Sequence, residues 1–130
     1  FGYAEWQTYT KDHLEAFFEL DTYFYSSFYT NNLLPAAINF TKNYRRWYGK
    51  EMDERYPKFG MLGFDTGYFF LKGLARYGSS FEKNMQGLDL VPIQTGFKFQ
   101  RVNNWGGFIN KKVFFVHFTK NFELVKLDFD

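Results

Sequence analysis

The spacing of hydrophobic and polar positions predicts two consecutive helices near the middle of the chain. Apolar side chains recur at helical spacing through 35–48, with cations between them, and Pro35 suits a first helical turn. Gly49 is well placed to end this helix. Residues 59–77 are apolar on most of their circumference, so we expect the second helix to be covered on more than one side. The charged segment between the two helices predicts a surface connector.

The flanking segments predict one more helix and several strands. A short amphipathic helix is expected over 11–20, and the aromatic segment 22–28 is typical of a strand. In the last third, 95–102, 108–118 and 122–129 have the pattern of strands separated by short turns. Three strands joined in this way predict an antiparallel meander.

Composition narrows the function classes. A chain of 130 residues is one domain's worth, and aromatic residues make up 25% of it, more than a core of this size needs. We therefore expect some aromatic side chains at a ligand cleft or a partner surface. The net charge of +2 predicts no strong field for nucleic acid or an anionic membrane. The sequence has no apolar run long enough for a transmembrane segment.

Recognisable catalytic and cofactor motifs are absent from the sequence. The chain has no cysteine, two histidines, and no HExxH, nucleophile-elbow or phosphate-binding glycine motif. We therefore expect no enzyme activity, no metal and no cofactor. His117 lies in an apolar strand pattern and is interpreted as an outward-facing or hydrogen-bonded residue rather than a ligand.

The central segment resembles the C-terminal part of the type I periplasmic-binding-protein fold, the family of branched-chain amino acid binding proteins and receptor ligand-binding regions. The resemblance rests on the order and spacing of two motifs separated by a variable connector: Phe40, Tyr44, Tyr48 and Gly49, then Gly63, Phe64 and Asp65. A final G-x-F-x-F strand and a glycine-rich turn, with Gly96, Phe97, Phe99, Gly106 and Gly107, also fit the family.

The resemblance implies an α/β fold with helices on a mostly parallel sheet, ending in the antiparallel meander. Residues 1–30 would form a second-lobe-like segment and hinge strand, 31–94 a helical segment, and 95–130 the C-terminal strands. The loop over 29–32 would cross between the two lobes. The whole two-lobed fold takes about 300 residues in this family, where each parallel sheet has helical cover. We therefore expect this chain to be a fragment of a larger binding fold, and a fragment can form a homodimer.

The resemblance also nominates ligand-binding residues near the hinge and at the start of the second helix. They are Tyr25, Ser26, Ser27, Tyr29, Phe64 and Asp65. Hydroxyl groups there would bind polar ligand groups, and tyrosine rings would stack on an apolar or sugar ring. Two alternatives stay open: the tyrosines can be ordinary strand packing, and Asp65 can interact with free N–H groups near its helix start.

Two further features have a structural and a functional interpretation. Lys42, Arg45 and Arg46 beside Trp47 are interpreted as a solvated helix face rather than a nucleic-acid site. Trp105 in its Asn- and Gly-rich turn either covers the end of a hairpin or binds a sugar.

The resemblance implies a non-enzymatic, ABC-transporter-type solute-binding domain of the periplasm or cell envelope, with an amino acid-like or sugar-like ligand. The alternative is an interaction module of a LysM-associated envelope protein that has lost ligand binding and contacts peptidoglycan or an envelope protein through the rest of its chain. A binding domain should have converging polar groups in its cleft. An interaction module should have the cleft filled by its own aromatic side chains.

Overall fold

The computed structural model describes residues 1–128 and combines helices with antiparallel sheets. The helices are α1 (Thr10–Glu19), α2 (Pro35–Tyr48), α3 (Phe59–Tyr77) and the short α4 (Phe81–Asn84). The strands are β1 (Tyr23–Ser26), β2 (Phe99–Arg101), β3 (Phe108–Asn110), β4 (Phe114–Phe118) and β5 (Leu124–Asp128). A short 3-10 segment, Ala4–Tyr9, leads into α1.

The two central helices have the predicted bounds, because local sequence determines where they begin and end. Pro35 occupies the first turn of α2, where its missing N–H has no partner to lose. Gly49 ends α2 in the left-handed conformation, with φ of 65°. The bounds of α3 coincide with the predicted segment 59–77.

The main sheet has the strand order β1-β4-β5, and both pairings are antiparallel. Tyr23 lies opposite His117 and Ser26 lies opposite Phe114. The expected mostly parallel sheet is therefore not found among residues 1–128, where parallel pairing is limited to a bridge between Gly2 and Phe24. The predicted meander is present in part, since β4 and β5 are consecutive neighbours.

The predicted strand over 108–118 is wrong, because the chain changes sheets within it. The segment β3 pairs with β2 in a separate two-stranded sheet, whereas β4 joins the main sheet. The side chain of Asn110 stabilises the change of direction. Its Oδ1 accepts hydrogen bonds from the N–H groups of Lys98 (2.8 Å) and Lys112 (3.1 Å), and its Nδ2 donates to the carbonyl of Gly96 (2.7 Å). The third predicted strand, 122–129, ends at a residue outside the described range.

Two aromatic clusters form the core. The first lies between α1 and the main sheet and contains Phe17, Phe24, Val116 and Phe118. The second lies between α3, α4 and the segment that leads into β2, and contains Phe69, Phe81 and Leu88. Burial of such side chains is the main favourable term in folding, at roughly 25 cal/mol per Å² of apolar surface.

The expectation that α3 is covered on more than one side holds only in part within residues 1–128: Phe64 contacts a ring of α2 and Phe70 contacts a ring of α4, but the cover is incomplete. Only one stripe of α3 is buried, and its members recur every four residues: Met61, Asp65, Phe69 and Gly73. Phe59 and Leu71, on other faces, are 69% and 70% exposed. A helix that is apolar over a wide arc therefore keeps much of that arc in contact with solvent.

Candidate functional site

A cleft opens where the loop after β1 passes beside the start of α1 and the connector between α2 and α3. Its cavity volume is about 330 Å³. Apolar side chains line part of it: Leu14, Phe24, Leu33, Phe118 and Leu124. Polar and charged side chains line the rest: Gln7, Thr10, Lys11, Tyr29, Thr30, Asn31, Asn32 and Tyr56. We call this cavity the hinge-loop cleft, because it lies along the segment that the family resemblance predicts as the crossing between lobes.

Hydrogen bonds between distant segments hold the walls of the hinge-loop cleft. Gln7, which is 4% exposed, donates from Nε2 to the carbonyl of Phe28 at 2.9 Å. Lys58 donates from Nζ to Oδ1 of Asn32 at 3.2 Å, which links the connector to the loop after β1. These contacts position backbone that has no regular secondary structure of its own.

Two tyrosine hydroxyl groups in the cleft have no hydrogen-bond partner among residues 1–128. Burial raises the pKa of Tyr29 to about 12, with a smaller contribution from the nearby Tyr56 phenol. Burial also raises the pKa of Tyr56. Both phenols are therefore neutral at physiological pH. Each has an O–H group that is free to donate a hydrogen bond to a bound molecule.

Charged side chains lie beside the cleft, where Glu54 contacts the lining residue Lys11 and Lys58 contacts the lining residue Asn32. Lys11 Nζ contacts both carboxylate oxygens of Glu54, at 2.8 and 3.0 Å. This hydrogen bond raises the pKa of Lys11 and lowers that of Glu54, although both side chains remain well exposed. Lys58 lies 5.5 Å from the centre of the Tyr56 ring, and burial lowers the pKa of its ammonium group. This side of the cleft thus has mixed charge, with Lys58 in its more desolvated part.

Asp65 does not line the cleft, but its carboxylate fixes the backbone of residues 93–95, which we call the Asp65 brace. Its Oδ1 accepts a hydrogen bond from the N–H of Ile93 (2.8 Å), and its Oδ2 accepts from the N–H groups of Gln94 (2.8 Å) and Thr95 (2.9 Å). The carboxylate is 1% exposed. A carboxylate in such a position is stabilised because its desolvation is offset by several charge-assisted hydrogen bonds.

Gln94, in the segment that Asp65 holds, is hydrogen-bonded to both the connector and the loop after β1. Its side chain accepts from the N–H of Lys58 (2.9 Å) and donates to the carbonyl of the same residue (3.2 Å). Its own carbonyl accepts from the N–H of Tyr29 at 3.0 Å. Asp65 therefore acts on the cleft through Gln94, which contacts the connector on one side and the hinge loop on the other.

The structure brings one of the six predicted ligand residues, Tyr29, into the cleft. Asp65 lies behind it as a positioning residue. The Oγ of Ser26 is buried and accepts from the N–H of Phe28 at 3.0 Å, and Ser27 is exposed just after β1. Tyr25 is 48% exposed on the sheet, with its ring 6.4 Å from that of Phe115.

Phe64, the sixth predicted residue, lies on the exposed side of α3. Its ring centre is 5.1 Å from that of Phe40 and 5.9 Å from that of Tyr68. The surroundings of Phe64 are therefore aromatic side chains of α2 and α3. The structure does not bring it to the hinge-loop cleft.

Sequence reasoning missed Gln7 and Tyr56, which line the cleft, and Lys58, which bonds to the lining residue Asn32. None of them belongs to a periodic pattern, and all three reach the cleft through contacts with segments far away in the chain. The one signal in the sequence that could have indicated Tyr56 is its position directly before Pro57, at the end of a charged connector. Such a residue is poorly placed to continue a helix and well placed to close a turn.

Other candidate sites are weaker in the described part of the chain. No group of three or more metal-ligating side chains occurs within residues 1–128. No helix in that range is long and apolar enough to cross a membrane. His117 contacts Asp21 through Nε2 at 2.7 Å and stacks on Tyr23 with ring centres 3.8 Å apart. Its imidazole is therefore hydrogen-bonded, in agreement with the structural interpretation.

Comparison of the chain with protein-family models, curated proteins and solved structures gave no match. The resemblance to the periplasmic-binding-protein family thus rests on the sequence motifs given above and stays a prediction. The case for a function depends on the geometry of the hinge-loop cleft.

Proposed function

We propose that this chain is a non-enzymatic small-molecule binding domain of a bacterial cell-envelope protein. It would form the C-terminal part of a two-lobed, type I periplasmic-binding-like fold. The observation that carries the proposal is the hinge-loop cleft, a partly apolar cavity lined by Tyr29 and Tyr56, whose hydroxyl groups have no hydrogen-bond partner among residues 1–128. Ligand pockets combine an apolar lining with a few placed polar groups in this way.

The size and chemistry of the cleft favour a small ligand with an apolar part and at least one hydrogen-bond acceptor. A volume of about 330 Å³ lies near the lower end of the range for ligand pockets. An amino acid-like or sugar-like solute has the corresponding size. Tyr29 and Tyr56 donate to its oxygen atoms, while the apolar lining around Leu14 and Leu124 covers its carbon skeleton.

Three features support the finer proposal about the fold. The order and bounds of α2 and α3 match the family motif, and Gly49 ends α2 as that motif requires. The cleft lies along the loop that the resemblance predicts as the crossing between lobes. The apolar arc that α3 exposes is the type of surface that further sheet and helices would cover in a larger fold.

The exposed apolar surface of α2 and α3 favours the second candidate, an interaction module of the cell envelope. Tyr48 of α2 is 63% exposed, and Phe64 and Tyr68 of α3 are each 47% exposed. A row of ring contacts through Tyr44 and Phe40 joins these three side chains. Contiguous apolar surface of this kind often marks a binding surface for another protein. This candidate predicts no small-molecule ligand and a partner that covers the two helices.

A ligand screen with matched tyrosine variants tests the proposal. Calorimetric titration of the protein with a panel of amino acids and sugars identifies a ligand. The substitutions Tyr29→Phe and Tyr56→Phe then remove one hydroxyl group each while leaving the rings in place. Because a hydrogen bond contributes about 0.5–1.5 kcal/mol, each substitution should weaken binding by about two- to twelvefold.

Two controls make the result specific. Tyr48→Phe alters an exposed tyrosine of α2 and should leave affinity unchanged. Tyr25→Phe tests the sequence-based prediction for β1, since a loss of affinity there would place the ligand on the sheet instead. If the panel yields no ligand, or if the cleft variants bind as tightly as the Tyr48→Phe control, the solute-binding proposal fails.

A further inference from the structure

Two acid-free segments, 42–50 and the hairpin over 98–112, each hold four basic residues, although the whole chain is nearly neutral; in the first of them Arg45 pairs with Glu51. Residues 98–112, which contain β2 and β3, hold four of the 16 lysines and arginines and none of the 14 acidic residues. The remainder of the chain therefore has 12 basic and 14 acidic residues, a net charge of −2. This basic hairpin is a local positive region on an otherwise slightly acidic molecule.

The turn of the basic hairpin presents a single tryptophan to solvent. Trp105 is 98% exposed, so it does not cover the end of the hairpin. The turn is nevertheless well formed, because Oδ1 of Asn103 accepts hydrogen bonds from the N–H groups of Trp105 (2.9 Å) and Gly106. An indole held outward by an ordered turn carries a large apolar surface with no partner within residues 1–128.

Apolar and basic side chains are separated along the hairpin. Val102 and Ile109, close to the turn, are 57% and 45% exposed. Lys98 and Lys111 lie at the opposite end, where the N–H of Lys111 donates to the carbonyl of Lys98 at 2.9 Å. Arg101, near the turn, forms an ion pair with Glu82. Lys98 and Lys111 form no ion pair with an acid in the described part of the chain.

We propose that the basic hairpin docks on the surface of an anionic lipid bilayer. Trp105, Val102 and Ile109 would enter the interfacial layer, where tryptophan is enriched in membrane proteins. Lys98 and Lys111 would contact the anionic headgroups. At about 3.4 Å per residue, three residues of strand separate Lys98 from the turn by about 10 Å, which exceeds the headgroup depth of about 5–7 Å and places Lys98 at the outer surface of that layer.

The arrangement fits a membrane surface better than a nucleic acid or a sugar chain. Single-stranded nucleic acid is bound on a platform of several stacked aromatic side chains, whereas the turn offers one exposed ring. A sugar site needs polar side chains that are free to converge beside the ring, but Oδ1 of Asn103 is already bonded to the turn backbone, which leaves Asn104 as the other amide next to Trp105. A tip that carries Trp105 and Val102, with Lys98 and Lys111 behind it, matches the order of layers in an anionic bilayer.

Sedimentation with vesicles tests the proposal directly. Vesicles of phosphatidylcholine and phosphatidylserine at about three to one should bind the protein, and vesicles of phosphatidylcholine alone should bind it much less. Each cation near an anionic surface should contribute about fivefold in affinity, so the double substitution Lys98→Glu/Lys111→Glu should reduce binding by more than twentyfold. Binding should also weaken steeply as the Debye length falls from about 10 Å to about 3 Å.

Matched variants separate the hairpin from the remaining surface. Trp105→Ala should lower vesicle binding by at least tenfold, whereas Trp47→Ala and Lys42→Glu, both on exposed positions of α2, should have no effect. On vesicle binding, the tryptophan emission of the wild type should shift to shorter wavelength, and the shift should disappear in Trp105→Phe. Equal binding to neutral vesicles, equal loss in the α2 variants, or binding to an oligonucleotide or a glycan but not to vesicles would overturn the proposal. This test uses no solute, so its result does not depend on the proposed function.

Discussion

The brace formed by Asp65 provides the sharpest test of how this fold is held together. Three backbone N–H groups, from Ile93, Gln94 and Thr95, point at one carboxylate that is 1% exposed. Asp65→Ala would leave all three donors without an acceptor in a site that water does not reach. Asp65→Asn would keep one acceptor oxygen but direct amide hydrogens at backbone donors.

The expected magnitude follows from the number and type of these hydrogen bonds. A hydrogen bond to a charged group contributes about 1.5–3 kcal/mol, and the three bonds are not additive because they share one carboxylate. Removing the buried carboxylate also removes its desolvation penalty, which offsets part of the loss. We therefore expect Asp65→Ala to lower the free energy of unfolding by about 3–5 kcal/mol, and Asp65→Asn by about 2–4 kcal/mol. A domain of this size has about 5–15 kcal/mol in total.

The assay is equilibrium unfolding in urea, followed by tryptophan fluorescence and by circular dichroism. Asp89→Asn is the matched control, because this exposed acid lies close in sequence to the braced segment and should change stability by less than about 0.5 kcal/mol. A loss below about 1 kcal/mol for Asp65→Ala would refute the reasoning, since it would mean that other groups satisfy the three donors.

Three further predictions concern the core, a helix and the cleft. Phe24→Ala removes a core ring that is 1% exposed, so it should lower the free energy of unfolding, measured with urea, by about 3–5 kcal/mol. In the same assay, Gly73→Ala should destabilise by about 1–3 kcal/mol, because its Cβ would overlap the ring of Phe81. Gly67→Ala, where a Cβ meets nothing within 4 Å, should instead stabilise α3 by about 0.5–1 kcal/mol. Equal effects at the two glycines would contradict the packing. For Tyr29, the raised pKa means that folding favours the neutral phenol, so its contribution is complete below pH 10 and is lost between pH 10 and about 12. Over that range, Tyr29→Phe should lose about 1–2 kcal/mol less stability than the wild type, after allowance for solvent screening.

The helices could be predicted from sequence because their signals are local. Pro35, Gly49 and the apolar periodicity between them determine α2, and the aromatic run that ends before Gly78 determines α3. Each of these signals acts within a few residues of the boundary that it sets. A single sequence contains all the information that such boundaries require.

The sheets could not be predicted in the same way, because their pairing depends on contacts that are distant in sequence. Nothing in the alternation around Tyr23 or His117 indicates that these two residues lie opposite each other. The break within 108–118 depends on Asn110, whose side chain replaces ladder hydrogen bonds with bonds to Gly96 and Lys98. An asparagine within an aromatic and basic run is a weak turn signal unless these partners are known.

The candidate site was predictable only where a sequence motif and the tertiary structure coincide. Tyr29 was nominated from the family resemblance, and it lies in the hinge-loop cleft. The resemblance nominates Asp65 as a ligand residue, with N–H groups at its helix start as the alternative partners; its three partners instead lie 28 to 30 residues away and have no sequence signature. Tyr56 and Gln7 lie in irregular segments, where no periodicity relates sequence to position.

The pairing of β1 with β4 sets a minimum time for the main sheet to form during protein synthesis. The first strand leaves the ribosome about 90 residues before its partner has been made, and a ribosome adds about 5–20 residues per second. For roughly 5–20 seconds, the edges of Tyr23–Ser26 therefore have no β4 to pair with. During that interval a nascent chain rich in exposed aromatic residues depends on early helices, or on a chaperone, to avoid pairing with other chains.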